Sequence, residues 1–423
     1  MRFPRCSPEG HHRRAYWGQL VQTSSPYHPT LVRHPGETVT VFLPRTALLT
    51  GGLAVAAALT LSACGAAPDD KATTADGKSA ATATSAADFG GLDGLVKAAK
   101  KEGTLHAIAL PRDWANYGAL IDGFTKKYGI KIQVESPDGS SQDEINAVTS
   151  RKGQDRAPDV LDLGSSFALS AAQQGLLAPY KVASFGDLPE GQKDAAGRWF
   201  NDYGGYISIG CDAKRVKQCP TTFKDLLKPQ YKGQVALNGN PTKSGSAFGG
   251  VYAAALANGG SFDDIQPGLD FFAKLKKNGN YTPVESTPAT VEKGETPISI
   301  DWDYLNAGYA DEFRSKGVDW KVAVPGDGQF SQYYSQAVNK DAPHPAAARL
   351  WQEYLYSAEG QNLWLKGYAR PALMTAMDKA GTLDKTAAAK LPAVSGTPSF
   401  PTEAQQSKAK TVLAQGWGKA VSG

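Results

Sequence analysis

The chain has 423 residues, with 45 Lys and Arg against 41 Asp and Glu and a formal net charge of +4 at pH 7. Six of the basic residues (Arg2, Arg5, Arg13, Arg14, Arg33, Arg45) and two of the acidic ones (Glu9, Glu37) precede residue 64, leaving 39 of each, and a neutral body has no electrostatic footprint for nucleic acid. Four of the six histidines (His11, His12, His28, His34) lie in the same stretch; the two that remain, His106 and His344, are far apart in sequence, which speaks against a histidine-rich zinc site or a histidine-based triad, so no metal or cofactor is expected.

Residues 1–38 show no periodicity, and Val39 is a plausible true initiator. Residues 47–61 are uncharged and apolar, follow Arg45 and end in small side chains, the layout of a signal peptide. The run is shorter than the roughly 20 residues a membrane span needs. Residues 1–63 are therefore read as a presequence. Leu61-Ser62-Ala63-Cys64 resembles the lipobox of bacterial lipoproteins, which implies that Cys64 takes a lipid and becomes the mature N-terminus. The alternative is an ordinary signal peptide or short anchor with an incidental cysteine. Residues 64–88 carry no large apolar side chain except at their very end, so a disordered tether is expected there.

About 330 residues follow, enough for two domains or one with a large insertion. Residues 104–110 read as a strand, after which Asp113 can cap a helix over 114–128 that Gly129 stops. Residues 130–135 alternate as a strand, and Ser141 with Glu144 forms a capping box for the next helix. Residues 159–163 read as a third strand, with Ser165 or Ser166 capping a helix over 167–174. Three strand-then-helix units argue for a parallel sheet. Ligands then belong at the strands' carboxyl ends, in the loops 111–117, 136–141 and 164–167.

Residues 203–210 break the rhythm as an extended, glycine-bearing crossing, and 333–338 read as the return. Between them lie expected strands at 235–237, 297–301 and 320–324 and helices over 246–257 and 304–316. The expected fold is α/β with two lobes, each a mainly parallel sheet with flanking helices, joined by two hinge crossings. The lobes are 89–204 with 334–395, and 205–333; residues 396–423 form a C-terminal helix packing on them. Cys211 and Cys219 close a short loop and suit a disulfide in an exported protein, with free thiols or half of a metal site as alternatives.

Pro220-Thr-Thr-Phe-Lys-Asp-Leu-Leu-Lys-Pro-Gln-Tyr-Lys-Gly233, Asn240-Pro-Thr-Lys-Ser-Gly-Ser-Ala247, and Ser357-Ala-Glu-Gly-Gln361 followed by Arg370-Pro371 resemble segments of the bacterial extracellular solute-binding proteins that serve ABC importers. The resemblance covers roughly residues 92–373 and is strongest to the iron, polyamine, thiamine and aminophosphonate group. It implies a type II periplasmic-binding fold that closes around one small solute, no enzymatic activity, an ABC permease as partner, a lipid-anchored place on the outer face of the cytoplasmic membrane, and a monomer.

Candidate ligand contacts follow. Lys243, Ser244 and Ser246 sit at a helix start that could hold an anionic oxygen. Asp301, Trp302 and Asp303 place acid and indole at a strand end, which suits an ammonium ligand. Asp113, Trp114 and Tyr117 repeat that theme, Asp138, Ser140 and Ser165 add polar groups from neighbouring loops, and Tyr203 and Tyr334 are expected as aromatic walls. Capping and core packing are the alternatives for each. Ferric-binding relatives carry adjacent tyrosines at the second-lobe strand end, where this chain reads Trp302-Asp303-Tyr304. Amine or polyamine thus ranks first, a zwitterion such as an aminophosphonate second and ferric ion third. No Gly-x-Ser-x-Gly, His-Glu-x-x-His or P-loop pattern occurs; a secreted hydrolase using carboxylates alone is the rival of another class.

Overall fold

The computed structural model describes residues 72–394 and 400–422. The presequence, the lipidation at Cys64 and the start of the tether lie outside the described residues. Residues 72–88, expected to be disordered, are folded. Ala72, Ala80 and Ala83 are buried, short 3-10 turns form over Ala80–Thr82 and Ala86–Phe89, and the buried Arg349 guanidinium donates to the carbonyls of Ala83 and Ala81, each at 2.8 Å. Backbone docking on an arginine does the work that large apolar side chains would otherwise do.

Helix α1 (Leu92–Glu102) leads to β1 (Thr104–Ile108), α2 (Tyr117–Tyr128) and β2 (Lys131–Glu135). β1 and β2 pair in parallel, Thr104 opposite Lys131. Gly129, with φ 73°, ends α2. Then come α3 (Ser141–Ser150), β3 (Val160–Gly164), α4 (Ser165–Gln173), β4 (Leu177–Ala178) and the thirteen-residue β5 (Phe200–Asp212), every residue of which is buried. The middle of the chain supplies β6 (Val235–Leu237), α5 (Gly245–Ala257), α6 (Gln266–Lys277), α7 (Pro288–Lys293), β7 (Ile298–Trp302), α8 (Asp303–Glu312) and β8 (Trp320–Ala323). β9 (Ser331–Asn339), α9 (Pro345–Leu355), α10 (Ala358–Lys366), β10 (Arg370–Pro371), α11 (Met374–Ala380), α12 (Lys385–Ala388) and α13 (Glu403–Ser422) complete it.

The larger sheet runs in the order β3-β9-β5-β7-β6, with β4 on β9 and both β8 and β10 on β5. It is mixed, which corrects the expectation of mainly parallel sheets. Among the described strands only β1 with β2 and β6 with β7 pair in parallel; the other ladders are antiparallel. The local strand-helix rhythm is genuine, but β3 bonds to β9, a strand that returns from far along the sequence. β5 meets β9 over Phe200 to Tyr206 and β7 and β8 from Ile207 onward. The two expected crossings are therefore neighbouring antiparallel strands of one sheet.

Cys211 at the end of β5 is disulfide-bonded to Cys219. α13 packs Trp417 edge-on against Phe272 of α6, ring centroids 5.3 Å apart, and sets the Lys410 ammonium 3.8 Å from the ring centroid of Phe167 on α4. The two histidines that are distant in sequence are neighbours in the fold, with rings 4.7 Å apart.

Candidate functional site

Two loops at strand ends form one wall of a cleft of about 130 Å³. The loop after β1 brings Asp113 and Trp114, and the loop after β2 brings Asp138, Ser140 and Ser141. The opposite wall comes from Asn238 after β6, Ser244 and Gly245 at the start of α5, residues 285–288 before and into α7, and Leu305 and Tyr309 on α8. Tyr334 of β9 closes the floor beside Asp162 of β3. Backbone strain concentrates on the first wall: Ala109, Ala115, Asn116 and Ser136 all have positive φ, against one other non-glycine residue, Tyr368, among those described. Such conformations persist where surrounding structure holds them, and they cluster at ligand sites.

The strained turn explains why Asp113 does not cap α2 as expected. Trp114 N donates to Pro111 O and Tyr117 N to Trp114 O, so the helix starts only at Tyr117 and Asp113 is left exposed at the cleft. The cap of α3 also differs by one residue. Ser140, not Ser141, is the N-cap, and it forms the box with Asp143. Glu144 is thereby released from capping; it is buried, lines the cleft and accepts a 2.9 Å bond from Asp162 N.

Five carboxylates line the cleft: Asp113, Asp138, Glu144, Asp162 and Glu285. Among the described residues no lysine, arginine or histidine does so. Burial raises the Glu144 pKa well above the usual carboxylate range, and the charge of Asp162 adds to it. Burial likewise raises Asp162 and its neighbour Asp202, the latter pushed further by Asp162. Glu285 is raised by burial and then by Asp138. Each shift has the sign expected of crowded, desolvated acids. The aromatic side of the cleft is fixed from beneath. Trp114 Nε1 donates to Tyr203 Oη at 2.7 Å, which donates to Asp162 Oδ2 at 2.8 Å, and the Trp114 ring stands edge-on to Tyr334.

Asp113, Trp114, Asp138, Ser140, Ser244 and Tyr334 of the expected contacts lie on the cleft; the others do not line it. Tyr117 and Tyr203 are fully buried behind it, Tyr117 accepting from Gln336 at 2.9 Å. Ser165 donates to Tyr333 O at 2.7 Å. Lys243 is exposed to solvent, and Ser246 is buried against Asp301. The Asp301 to Asp303 run is scaffold, because β7 lies between β5 and β6 and both its faces are covered. Asp301 accepts from Asn238 Nδ2 and Ser246 Oγ, and Asp303 pairs with Arg370 and accepts from Tyr206 N. Sequence reasoning missed Glu144, Asp162, Glu285 and Tyr309. Asp162, an acid inside an otherwise apolar strand, was the one signal that could have been followed.

A family model for "Bacterial extracellular solute-binding protein" matches residues 155–393. An uncharacterized protein of Haemophilus influenzae is 27% identical over 259 residues, covering 58% of this chain and 70% of its own. Among solved structures, the periplasmic binding protein AfuA from Actinobacillus pleuropneumoniae, bound to fructose-6-phosphate, is 19% identical with a TM-score of 0.58, over 75% of this chain and 99% of its own. A protein described as a spermidine/putrescine ABC transporter from Listeria monocytogenes is 15% identical with a TM-score of 0.55, over 74% and 98%. Likeness at these identities establishes a periplasmic-binding-protein fold of the α/β class.

Proposed function

The chain belongs to the bacterial extracellular solute-binding proteins, non-enzymatic components of ABC import, and from that premise we propose that its solute is a small cationic amine, diamine or polyamine, held in the cleft and passed to the permease. The observation that carries the reading is the lining itself, five carboxylates with no basic side chain among the described residues. A cation there gains charge-assisted contacts and the faces of Trp114, Tyr309 and Tyr334, each cation-π contact contributing about 0.5–2 kcal/mol. A cleft of about 130 Å³ holds roughly four waters' volume, so the bound group is small or enters end-first.

Closure about β5 and β9 fits this role, with residues 89–204 and 334–395 as one lobe and 205–333 as the other. Lipidation of Cys64 would keep the protein beside the permease and raise its effective concentration there. Among the described residues no helix is long and apolar enough to cross a membrane.

A second reading, a zwitterion, is favoured by one feature: Ser140 and Ser244, the N-caps of α3 and α5, both line the cleft, and helix N-termini suit an anionic oxygen. Ferric ion ranks third, since Tyr334 reaches the cleft and Tyr333 does not. Calorimetric titration with putrescine, spermidine, 4-aminobutyrate, fructose-6-phosphate and ferric citrate separates them. Amine binding that weakens at least tenfold in Asp138→Asn with Glu285→Gln is expected. Binding of the phosphate or the ferric complex alone would sink the proposal.

A further inference from the structure

The fold unites the two histidines of the body of the chain with a buried acid, away from the cleft. His106 is in the middle of β1, Asp159 stands just before β3, and His344 is the N-cap residue of α9. None of the three lines the cleft. One candidate ligand atom from each lies within 4.8 Å of the other two. Asp159 is fully buried and rigidly held: its carboxylate accepts from His106 N at 2.6 Å and from His344 N at 2.7 Å, and its own N–H donates to His106 O at 2.8 Å. The side chain of His344 keeps 17% of its surface exposed, so solvent reaches the site.

We propose that His106, Asp159 and His344 bind one divalent transition-metal ion of the Zn²⁺ class, tying β1, the approach to β3 and the start of α9 together. Two imidazoles and a carboxylate form a donor set zinc accepts readily, with water completing a tetrahedron. Ligand atoms about 2.0–2.2 Å from such an ion stand about 3.3 Å apart. His344 Nδ1 and Asp159 Oδ2 are already 2.9 Å apart, so the ion takes the place of the shared proton after a shift of a few tenths of an ångström. The His106 ring meets His344 edge-on and swings in to supply the third ligand. The local field favours a cation, because Glu102 and Asp155 also act on His344. Glu102 spends its oxygens on the N–H groups of Ala346 and Ala347, which leaves it a contributor of charge and not a ligand. The backbone contacts to Asp159 form without the ion, so the site is organised in advance, as tight metal sites require.

The test uses the full chain freed of metal by a chelator, then melted with and without Zn²⁺. His106→Ala and His344→Asn are compared with wild type, His344→Asn because it keeps a donor toward Asp159; Asp138→Asn controls for the cleft. The expected result is a rise in Tm of a few degrees in wild type and Asp138→Asn that both histidine variants lose, with Zn²⁺ affinity at least tenfold lower in those variants. The four upstream histidines are common to every protein compared and drop out of the difference. No Zn²⁺-dependent rise in wild type, or a rise the histidine variants keep, overturns the site and leaves Asp159 and His344 as a plain ion pair. Wild type alone decides the first of these outcomes, so a variant that fails to fold does not spare the proposal.

Discussion

Asp301 shows how one side chain can be misread by its chemistry and explained by its place. Fully buried, it accepts from Asn238, Ser246 and Trp302 N, yet burial outweighs those bonds and lifts its pKa from 3.8 to about 6. A carboxyl whose pKa is raised on folding contributes stability at pH values below its unfolded pKa and loses it as pH climbs through the folded one. Two pKa units correspond to about 3 kcal/mol. Urea midpoints of wild type should therefore fall relative to those of Asp301→Asn between pH 4 and pH 7; parallel curves would refute this. Glu144 and Asp162 carry a second prediction. An ammonium in the cleft favours their ionised forms, so amine binding should release protons and tighten from pH 5 to pH 8, read as a buffer-dependent heat in calorimetry. The sequence advertised Asp301 and concealed Glu144. An acid beside a tryptophan after a strand looks like a binding pair, whereas whether a strand is central or at an edge is decided by partners hundreds of residues away.

Arg349 does for an element what Asp301 does for a loop. From α9 it reaches the carbonyls of Ala81, Ala83 and Pro345 and lies over the Tyr180 ring. Arg349→Met keeps the apolar stem and removes three charge-assisted bonds. A loss of about 3 kcal/mol is expected, together with protease cleavage within residues 72–89 that wild type resists, followed by mass spectrometry. Most strand and helix positions were legible, since periodicity and glycine stops are local signals. Residues 72–88 were not, because a composition rich in Ala, Thr and Ser hides the fact that alanines and carbonyls can dock on an arginine supplied from elsewhere. Strand direction was illegible for the same reason: β3 meets β9 through long-range pairing, which a strand-helix rhythm cannot report.

For the molecule from residue 72 onward, closure of the cleft is written into two glycines. A Cβ on Gly245 would sit 3.1 Å from Gly164 Cα and 3.3 Å from Tyr334 Oη. Gly245→Val should hold the start of α5 off the end of β3 and weaken solute affinity about tenfold or more, with a modest change in Tm; unchanged affinity would show that this approach is dispensable. The Cys211 to Cys219 bond closes a short loop, and replacing both cysteines by serine should cost about 2–3 kcal/mol, measured by denaturant unfolding. The loops 111–117 and 136–141 were found from sequence because the strand-end rule depends only on order along the chain. The facing wall was not, because residues 285–288 and Tyr309 arrive from a stretch whose register the sequence leaves open. β5 leaves for that wall and β9 brings the chain back, with Gly205 directly opposite Gln332. A stretch whose two ends meet in register behaves as a cassette: recombination between relatives can exchange it whole, altering what is recognised while leaving the rest of the fold in place.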